Sequence, residues 1–392
     1  MLPSPYTPGE TPTVLVGREE QLERARADLS MMATYGRFLG RVQVDIGSRG
    51  VGKTSLLKAV RDAAAQSGAV VVWVTARGDE SLVAGLTHGL LRALEGLGVD
   101  VGPRTPLRER FQSVSLELGA LGASAGVEVD VQPRRTPGSG AASTAFAELV
   151  SAAAIAARER GSAGVALLVD EVQAAPREDL RTLAYAWQEL QQSTPEPPAV
   201  VFAVGLPNAP DVLTAAVTFS ERFAFRTLQR LSAVDAAEVL EGPARAHRVT
   251  WEPELAAEVV RIADGYPYFL QLYADALWRV VGPDEGAVLP LDALDRARPL
   301  VADELDTMFR ARWSKAAPGE RRLLVALAEL TDDRESPVRR GAIADRMGVT
   351  SNDLSEPRRS LLDKGLVEAA DRGTLRFTVP GFAAFVRAES AG

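Results

Sequence analysis

Through the first 230 residues, short apolar runs alternate with longer stretches whose apolar positions recur every three or four residues. That is the pattern of strands alternating with helices in a parallel α/β sheet. Residues 41–46 alternate, with Val42, Val44 and Ile46 on one side and Gln43 and Asp45 on the other. Residues 69–74 and 165–169 are near-continuous apolar runs, as expected of strands covered on both faces. Residues 199–204 and 223–228 give two further strands. Between them, residues 54–64, 81–97, 142–160 (stopped by Gly161) and 180–191 read as helices.

Beyond residue 230 the period is helical. Residues 234–246 (with a break at Gly242-Pro243), 252–263 (with Pro253 in the first turn) and 268–280 predict a bundle into which Trp251 and Trp278 pack. Residues 290–308 add one or two helices. Residues 320–330 and 340–347 follow as helices, then a turn at Gly348-Val349-Thr350. A further helix covers 351–364, its start displaced or bent by Pro357. Strand 365–368, tight turn Asp371-Arg372-Gly373 and strand 374–379 complete a helix-turn-helix followed by a hairpin, which is a winged helix. The expected domains are a core over 1–232, a helical lid and linker over 233–315 and the winged helix over 316–392. Residues 97–140 form a long insert. Within it, 107–118 suits a short helix and 127–131 a short strand or hairpin, while the loose connection 133–139 carries Arg134 and Arg135. Those two arginines either touch DNA or a partner or belong to a solvated loop.

The 392-residue chain has room for these domains, and 46% hydrophobic with 24% charged residues is a globular composition. No stretch approaches 18 uninterrupted apolar residues, and residues 1–10 show no basic-then-apolar leader, so no membrane partner and a cytoplasmic location are expected. Cysteine is absent, which excludes thiolate chemistry, and His88 and His247 stand too far apart in sequence to suggest a zinc site. A net charge of −8 argues against non-specific coating of nucleic acid, though not against a local basic patch.

Two runs carry the chemistry. Gly47-Ser48-Arg49-Gly50-Val51-Gly52-Lys53-Thr54 fits G-x-x-x-x-G-K-[ST] and stands between a strand and a helix. Gly47, Gly50 and Gly52 let backbone N–H groups turn toward phosphate oxygens, with Val51 and Ser55 in the same cradle and the helix N-terminus favouring the anion. Lys53 would reach the β- and γ-phosphates and Thr54 would hold Mg²⁺. The run 165–169 delivers Asp170 and Glu171 at a strand's C-terminal end, where ligands of parallel sheets gather. Asp170 would bind Mg²⁺ and Glu171 would orient and deprotonate the attacking water. After strand 199–204, Asn208, or alternatively Ser220, would contact the γ-phosphate or that water; an ordinary turn accounts for Asn208 equally well.

With these motifs the chain resembles the additional-strand P-loop ATPases of the AAA+ and STAND type, in the archaeal-ATPase-like branch related to archaeal origin-recognition proteins. The expected fold is therefore an α/β P-loop NTPase three-layer sandwich with additional strand, helical lid and C-terminal winged helix-turn-helix domain. Residues 15–22 resemble the family's box beside adenine, which implies base contacts at Val16, Gly17 and Arg18. Gly265-Tyr266-Pro267 resembles its Gly-x-Pro element, placing Pro267 near the base or sugar. Arg222 lies where many AAA+ proteins place an arginine finger for a neighbouring subunit, implying a homo-oligomer; Arg226 stands nearby, and a surface salt bridge accounts for either as well. No second arginine marks the lid helix, a departure that favours the STAND-like branch and slow hydrolysis. Adenine, hence ATP/ADP, is what the resemblance implies, and no Asn-Lys-x-Asp guanine motif is present.

For the winged helix, Asn352, Arg358 and Arg359 on the second helix and Arg372 and Arg376 on the wing are the candidates for contact with double-stranded DNA. Residues 321–392 nonetheless hold 12 Lys or Arg against 11 Asp or Glu. The sequence leaves three readings: a DNA-contacting ATP switch, a signalling or scaffolding ATPase whose winged helix meets a protein partner, and a pseudoenzyme that retains nucleotide for stability alone.

Overall fold

The computed structural model describes residues 2–12, 14–102, 104–117, 139–217, 220–332, 335–371 and 373–391. It comprises two compact units. The first described here contains residues 18–46 and 54–227, and the second contains 1–17, 47–53 and 228–392.

The sheet-containing unit is built from α1 (Glu19–Tyr35), β1 (Val42–Ile46), α2 (Lys53–Gln66), β2 (Val70–Thr75), α3 (Leu82–Gly96), α4 (Pro106–Glu117), α5 (Ser139–Glu159), β3 (Val165–Asp170), α6 (Arg177–Leu190), β4 (Ala199–Gly205), α7 (Ala209–Ala216) and β5 (Phe223–Thr227). Its strands lie in the order β2-β3-β4-β1-β5, all parallel. The fold is thus the α/β P-loop NTPase fold with a parallel core. Strand β4 is inserted between β1 and β3. Every residue of β3 and β4 is buried, which explains their unbroken apolar sequence. Helices α3, α5 and α6 cover the sheet with Leu86, Phe146, Leu183 and Trp187; the Trp187 indole donates to Leu39 O at 2.9 Å.

Helix α3 starts where Ser81 accepts from Ala84 N at 3.1 Å, and Asp179 fastens that start by accepting from Ser81 Oγ and Val83 N. Among the described residues one helix, α5, is long and apolar enough to cross a membrane by length and composition (Gly140–Glu159), and 56% of that stretch is buried. The strand expected at 127–131 and Arg134 and Arg135 lie outside the described residues.

The second unit runs α8 (Ala233–Ala246), β6 (Thr250–Trp251), α9 (Pro253–Ala263), α10 (Pro267–Val281), β7 (Val288–Leu289), α11 (Ala293–Trp313), α12 (Pro318–Leu330), β8 (Val338–Arg339), α13 (Arg340–Met347), α14 (Ser355–Asp363), β9 (Val367–Glu368), β10 (Thr374–Phe377) and α15 (Phe382–Ala391). Strands β8, β10 and β9 form a small antiparallel sheet in that order. The expected break at Gly242-Pro243 is absent: α8 continues through Pro243. Ala236, Leu240 and Ala244 keep one buried stripe across the proline, and that burial outweighs the lost backbone bond. Residues 293–313 likewise form one helix despite Pro299. The helix expected from residue 351 begins at Ser355, so Pro357 falls in its first turn, where a missing N–H costs little.

The N-terminal segment belongs to this unit. Leu2 N donates to Pro283 O at 2.9 Å, and the Trp278 indole donates to Leu2 O at 3.1 Å. The Tyr6 ring packs edge-on to Trp251 and Trp278, and its hydroxyl donates to Leu240 O.

At the start of α12, Glu320 accepts from Lys364 Nζ at 2.6 and 2.8 Å and from Ala317 N at 2.8 Å. Burial of Glu320 raises its pKa, but the bonds from Lys364, Ser360 and Ala317 outweigh this and hold it below its ordinary 4.5. A carboxylate whose folded pKa is depressed contributes stability above its unfolded pKa and loses it as pH falls through the folded value. Glu320→Gln is therefore expected to cost about 1–2 kcal/mol at pH 7, Lys364 being only partly shielded. The deficit should close as urea-unfolding midpoints are followed from pH 7 down through the carboxylate range.

Candidate functional site

The phosphate loop, residues 47–53, leaves β1 and enters α2 at Lys53. Lys53 is buried, and its ammonium donates to Ser48 O at 2.9 Å, closing the loop on itself. Gly50 and Gly52 have φ of +83° and +96°, and Val51 is fully buried. Gly50 is also a close approach: a Cβ there would lie 2.6 Å from the Tyr266 hydroxyl.

The two segments expected to border adenine converge on Leu231. Gly17 passes close to Leu231 and Asp235. Leu231 N donates to Gly265 O at 2.8 Å, and Tyr266-Pro267 then opens α10. Val16 is half-buried, as is Pro267. The segment 229–231 escaped the sequence reading, since it has neither periodicity nor a motif. The Leu228 carbonyl just before it lies beside Gly47.

In the sheet-containing unit, Thr54 Oγ1 donates to Asp170 Oδ2 at 3.0 Å, so two oxygen donors meet at the end of β3. Asp170 is buried, and its other oxygen accepts from Glu171 N at 2.9 Å. Glu171 is a non-glycine residue at φ +53°, a sparsely populated conformation that directs it away from the strand. Gln173, unanticipated from sequence, donates to the Glu171 carboxylate at 2.6 Å while its Oε1 accepts from Leu206 N at 2.9 Å. It thereby links the acidic pair to the end of β4. Asn208 is buried at the N-cap of α7. Ser55 is half-buried one residue beyond Thr54. Among the described residues no three His, Cys, Asp or Glu side chains cluster as a metal site.

Arg18 is buried at the N-cap of α1, where its charge acts on Asp45. Arg226 donates to Gln43 Oε1 at 2.7 Å. Burial raises the pKa of Asp45 and Asp28, and Arg226 opposes both shifts. Arg226 thus has an internal role. Arg222 ends a 3₁₀ turn over Ser220–Arg222, half-buried.

Among the DNA candidates, Asn352 and Arg359 are exposed and Arg358 is half-buried. Arg376 is paired with Glu368 across β10 and β9 at 2.6 Å. Arg372 lies outside the described residues. Arg340, not singled out in the sequence, donates to Ser351 O and to Ser355 Oγ at 2.8 Å, fixing the turn before α14.

Residues 14–202 match the family described as an AAA ATPase domain. The match spans just under half of the chain. Both strands of the sheet that deliver the motifs, β1 and β3, fall inside the matched residues. Residues 306–386 match a family described as a domain of unknown function, DUF8462. No curated protein matches the chain. Among solved structures, a Walker-type ATPase of Pyrococcus abyssi is similar over 95% of this chain and 96% of its own, with 15% identity and a TM-score of 0.60. That likeness supports the fold of the AAA domain with its helical C-terminal region. The ORC2 protein of Aeropyrum pernix (17% identity, 98% of each chain, TM-score 0.49) is a more distant likeness. So is the RuvB Holliday junction branch migration motor of Thermotoga maritima (15% identity, 93% of this chain and 95% of its own, TM-score 0.45).

Proposed function

We propose that the chain is an ATP-driven molecular switch that binds MgATP, hydrolyses it slowly and contacts double-stranded DNA through its C-terminal region. The observation that carries this reading is the Thr54–Asp170 hydrogen bond with Glu171 held beside it by Gln173. Backbone N–H groups of residues 47–53 and the Lys53 ammonium bind the phosphates, Lys53 leaving Ser48 O to do so. Thr54 and Asp170 would hold Mg²⁺, whose preference for oxygen donors, waters and phosphates suits a site with only two protein ligands. When bound, the ion neutralises charge on the β- and γ-phosphates. Glu171 takes the proton of the attacking water, and Asn208 orients that water or the γ-phosphate. Ser220 is the weaker alternative to Asn208. Val16, Gly17, Arg18 and Pro267 border the adenosine.

Slow turnover is supported by the lid helix. The only arginine in α10 is Arg279, tied to Asp275 at 2.6 Å. Arg222 would then act across a homo-oligomer contact. We take residues 1–232 as ATPase core, 233–315 as lid and linker, and 316–392 as a winged helix, the last supported by α12–α14 and the β8-β10-β9 sheet. A cytoplasmic location suits this reading.

Duplex DNA binding, measured with and without MgATP while subunit association is followed in the same samples, tests it. Arg358→Ala and Arg359→Ala are each expected to weaken binding and to reduce the slope of log affinity against log salt by about 1. Absence of duplex binding in both nucleotide states would reject the DNA part and favour the STAND-like alternative, in which the winged helix meets a protein. The Arg376–Glu368 pair specifically favours that alternative, because it removes one wing cation from phosphate contact.

A further inference from the structure

Tyr266 is 1% exposed; the Arg312 guanidinium approaches its hydroxyl as a donor, and the hydroxyl proton itself finds no acceptor of ordinary geometry. A buried hydroxyl whose proton has no acceptor is costly, and here it lies against Gly50 on the crown of the phosphate loop. Its ring is held edge-on to Phe269 at 5.2 Å, so it is fixed at the start of α10. Burial raises its pKa, so the group remains a neutral O–H donor.

Arg312, in the last turn of α11, reaches the same place. Its guanidinium lies against the Tyr266 hydroxyl with Arg49 of the phosphate loop nearby, and burial lowers its pKa, with the Arg49 charge lowering it further. On the same helix Arg310 is neutralised by Asp306 at 2.7 Å and Glu389 at 3.4 Å. Arg312 has no carboxylate in an ion pair among the described residues. Arg49 and Gly50 are exposed, so the crown is open to a ligand. A half-buried cation with no carboxylate partner, a second cation on the loop and a hydroxyl proton without an acceptor together make a site in want of an anion.

We propose that the Tyr266 hydroxyl and the Arg312 guanidinium read the polyphosphate of the bound nucleotide at the crown of the phosphate loop, so that occupancy is sensed directly by helix α11. This rests on the ATP-switch reading above and adds to it a positioning pair outside the phosphate-binding motif. The position also suits coupling: α11 leads directly into α12 and the C-terminal region. Nucleotide uptake would give Arg312 the counter-charge it lacks and so tighten the end of α11 onto the loop.

The test is calorimetric binding of MgATP, MgADP and AMP to the full chain, for wild type, Arg312→Gln and Tyr266→Phe, with melting temperatures taken with and without each nucleotide. Arg312→Gln is expected to weaken MgATP and MgADP by about 10- to 100-fold, as for loss of a charge-assisted bond, and Tyr266→Phe by about fivefold, with AMP little changed. The nucleotide-free melting temperature of Arg312→Gln should equal or exceed that of wild type, because an uncompensated cation has been removed, while its rise on adding MgATP should shrink. A merely structural arginine would instead lower the nucleotide-free melting temperature. That result, or wild-type affinity for MgATP in both variants, overturns the proposal. Failure of the wild type itself to bind MgATP would instead defeat the ATP-switch reading on which it rests.

Discussion

Glu171→Gln is expected to lower ATP turnover by about 10²- to 10⁴-fold, the usual contribution of a positioned general base, while ATP affinity stays near that of the wild type. The amide has the shape of the carboxylate and still accepts the 2.6 Å bond from Gln173, so the local geometry survives. What is lost is the capacity to take a proton. The phosphate loop and the Thr54–Asp170 pair are untouched, so binding persists. Lys53→Ala should behave in the opposite way: with the phosphate-reaching ammonium gone, affinity itself collapses and turnover falls with it. Single-turnover hydrolysis together with equilibrium nucleotide binding separates the two. Equal loss of binding in both variants would show that Glu171 holds the loop together and has no part in activating water.

Gln173 is the residue to substitute next, because it is the only observed side-chain support of Glu171 among the described residues. It spans from the acidic pair to Leu206 N on the strand β4 side. A glutamate at φ +53° stores strain that such a bond can offset. The proposed base is therefore held by a side-chain bridge between the ends of β3 and β4, which ties β4 to the proposed catalytic site as well as to the sheet.

Strands β3 and β4 were legible because both faces are covered, so their apolar runs survive in the sequence without alternation, and they were placed within one residue of their observed limits. The phosphate loop and the acidic pair were legible because their chemistry fixes residue types at fixed spacing. Long-range contacts left no such trace. Tyr6 meets Leu240, 234 positions away, from a proline-rich segment with no period. Gln173 and Arg312 are ordinary polar positions until the fold brings Leu206 and Tyr266 beside them. Helix α8 shows the reverse error: Gly242-Pro243 is a strong local breaker, and tertiary burial of Leu240 and Ala244 overrides it. Across residues 321–392 the near-balance of 12 cations and 11 anions is legible but their pairing is not, and Arg376 proved to be committed to Glu368.

Gly265→Ala is expected to be among the most damaging single-methyl changes in the chain, costing about 2–5 kcal/mol. Two separate penalties add. The residue sits at φ +66°, where a side chain costs about 1–2 kcal/mol. A Cβ would also stand 2.3 Å from Leu231 O, a backbone atom that cannot rotate away, and this overpacking adds about 1–3 kcal/mol. Relief requires the segment 228–231 to move off, which breaks the 2.8 Å bond from Leu231 N to Gly265 O. Gly348→Ala isolates the first penalty: its φ is +67°, but nothing lies within 4 Å of the added carbon. The difference between the two variants in urea-unfolding free energy therefore measures the clash alone. Because Leu231 also borders Gly17, and Gly265 leads into Tyr266-Pro267, the same substitution should weaken ATP binding, whereas Gly348→Ala should leave it intact. Equal destabilisation by both alanines would mean that segment 228–231 yields freely. Leu231 would then be no fixed wall for the adenosine, and the convergence of the two adenine elements would carry no binding role.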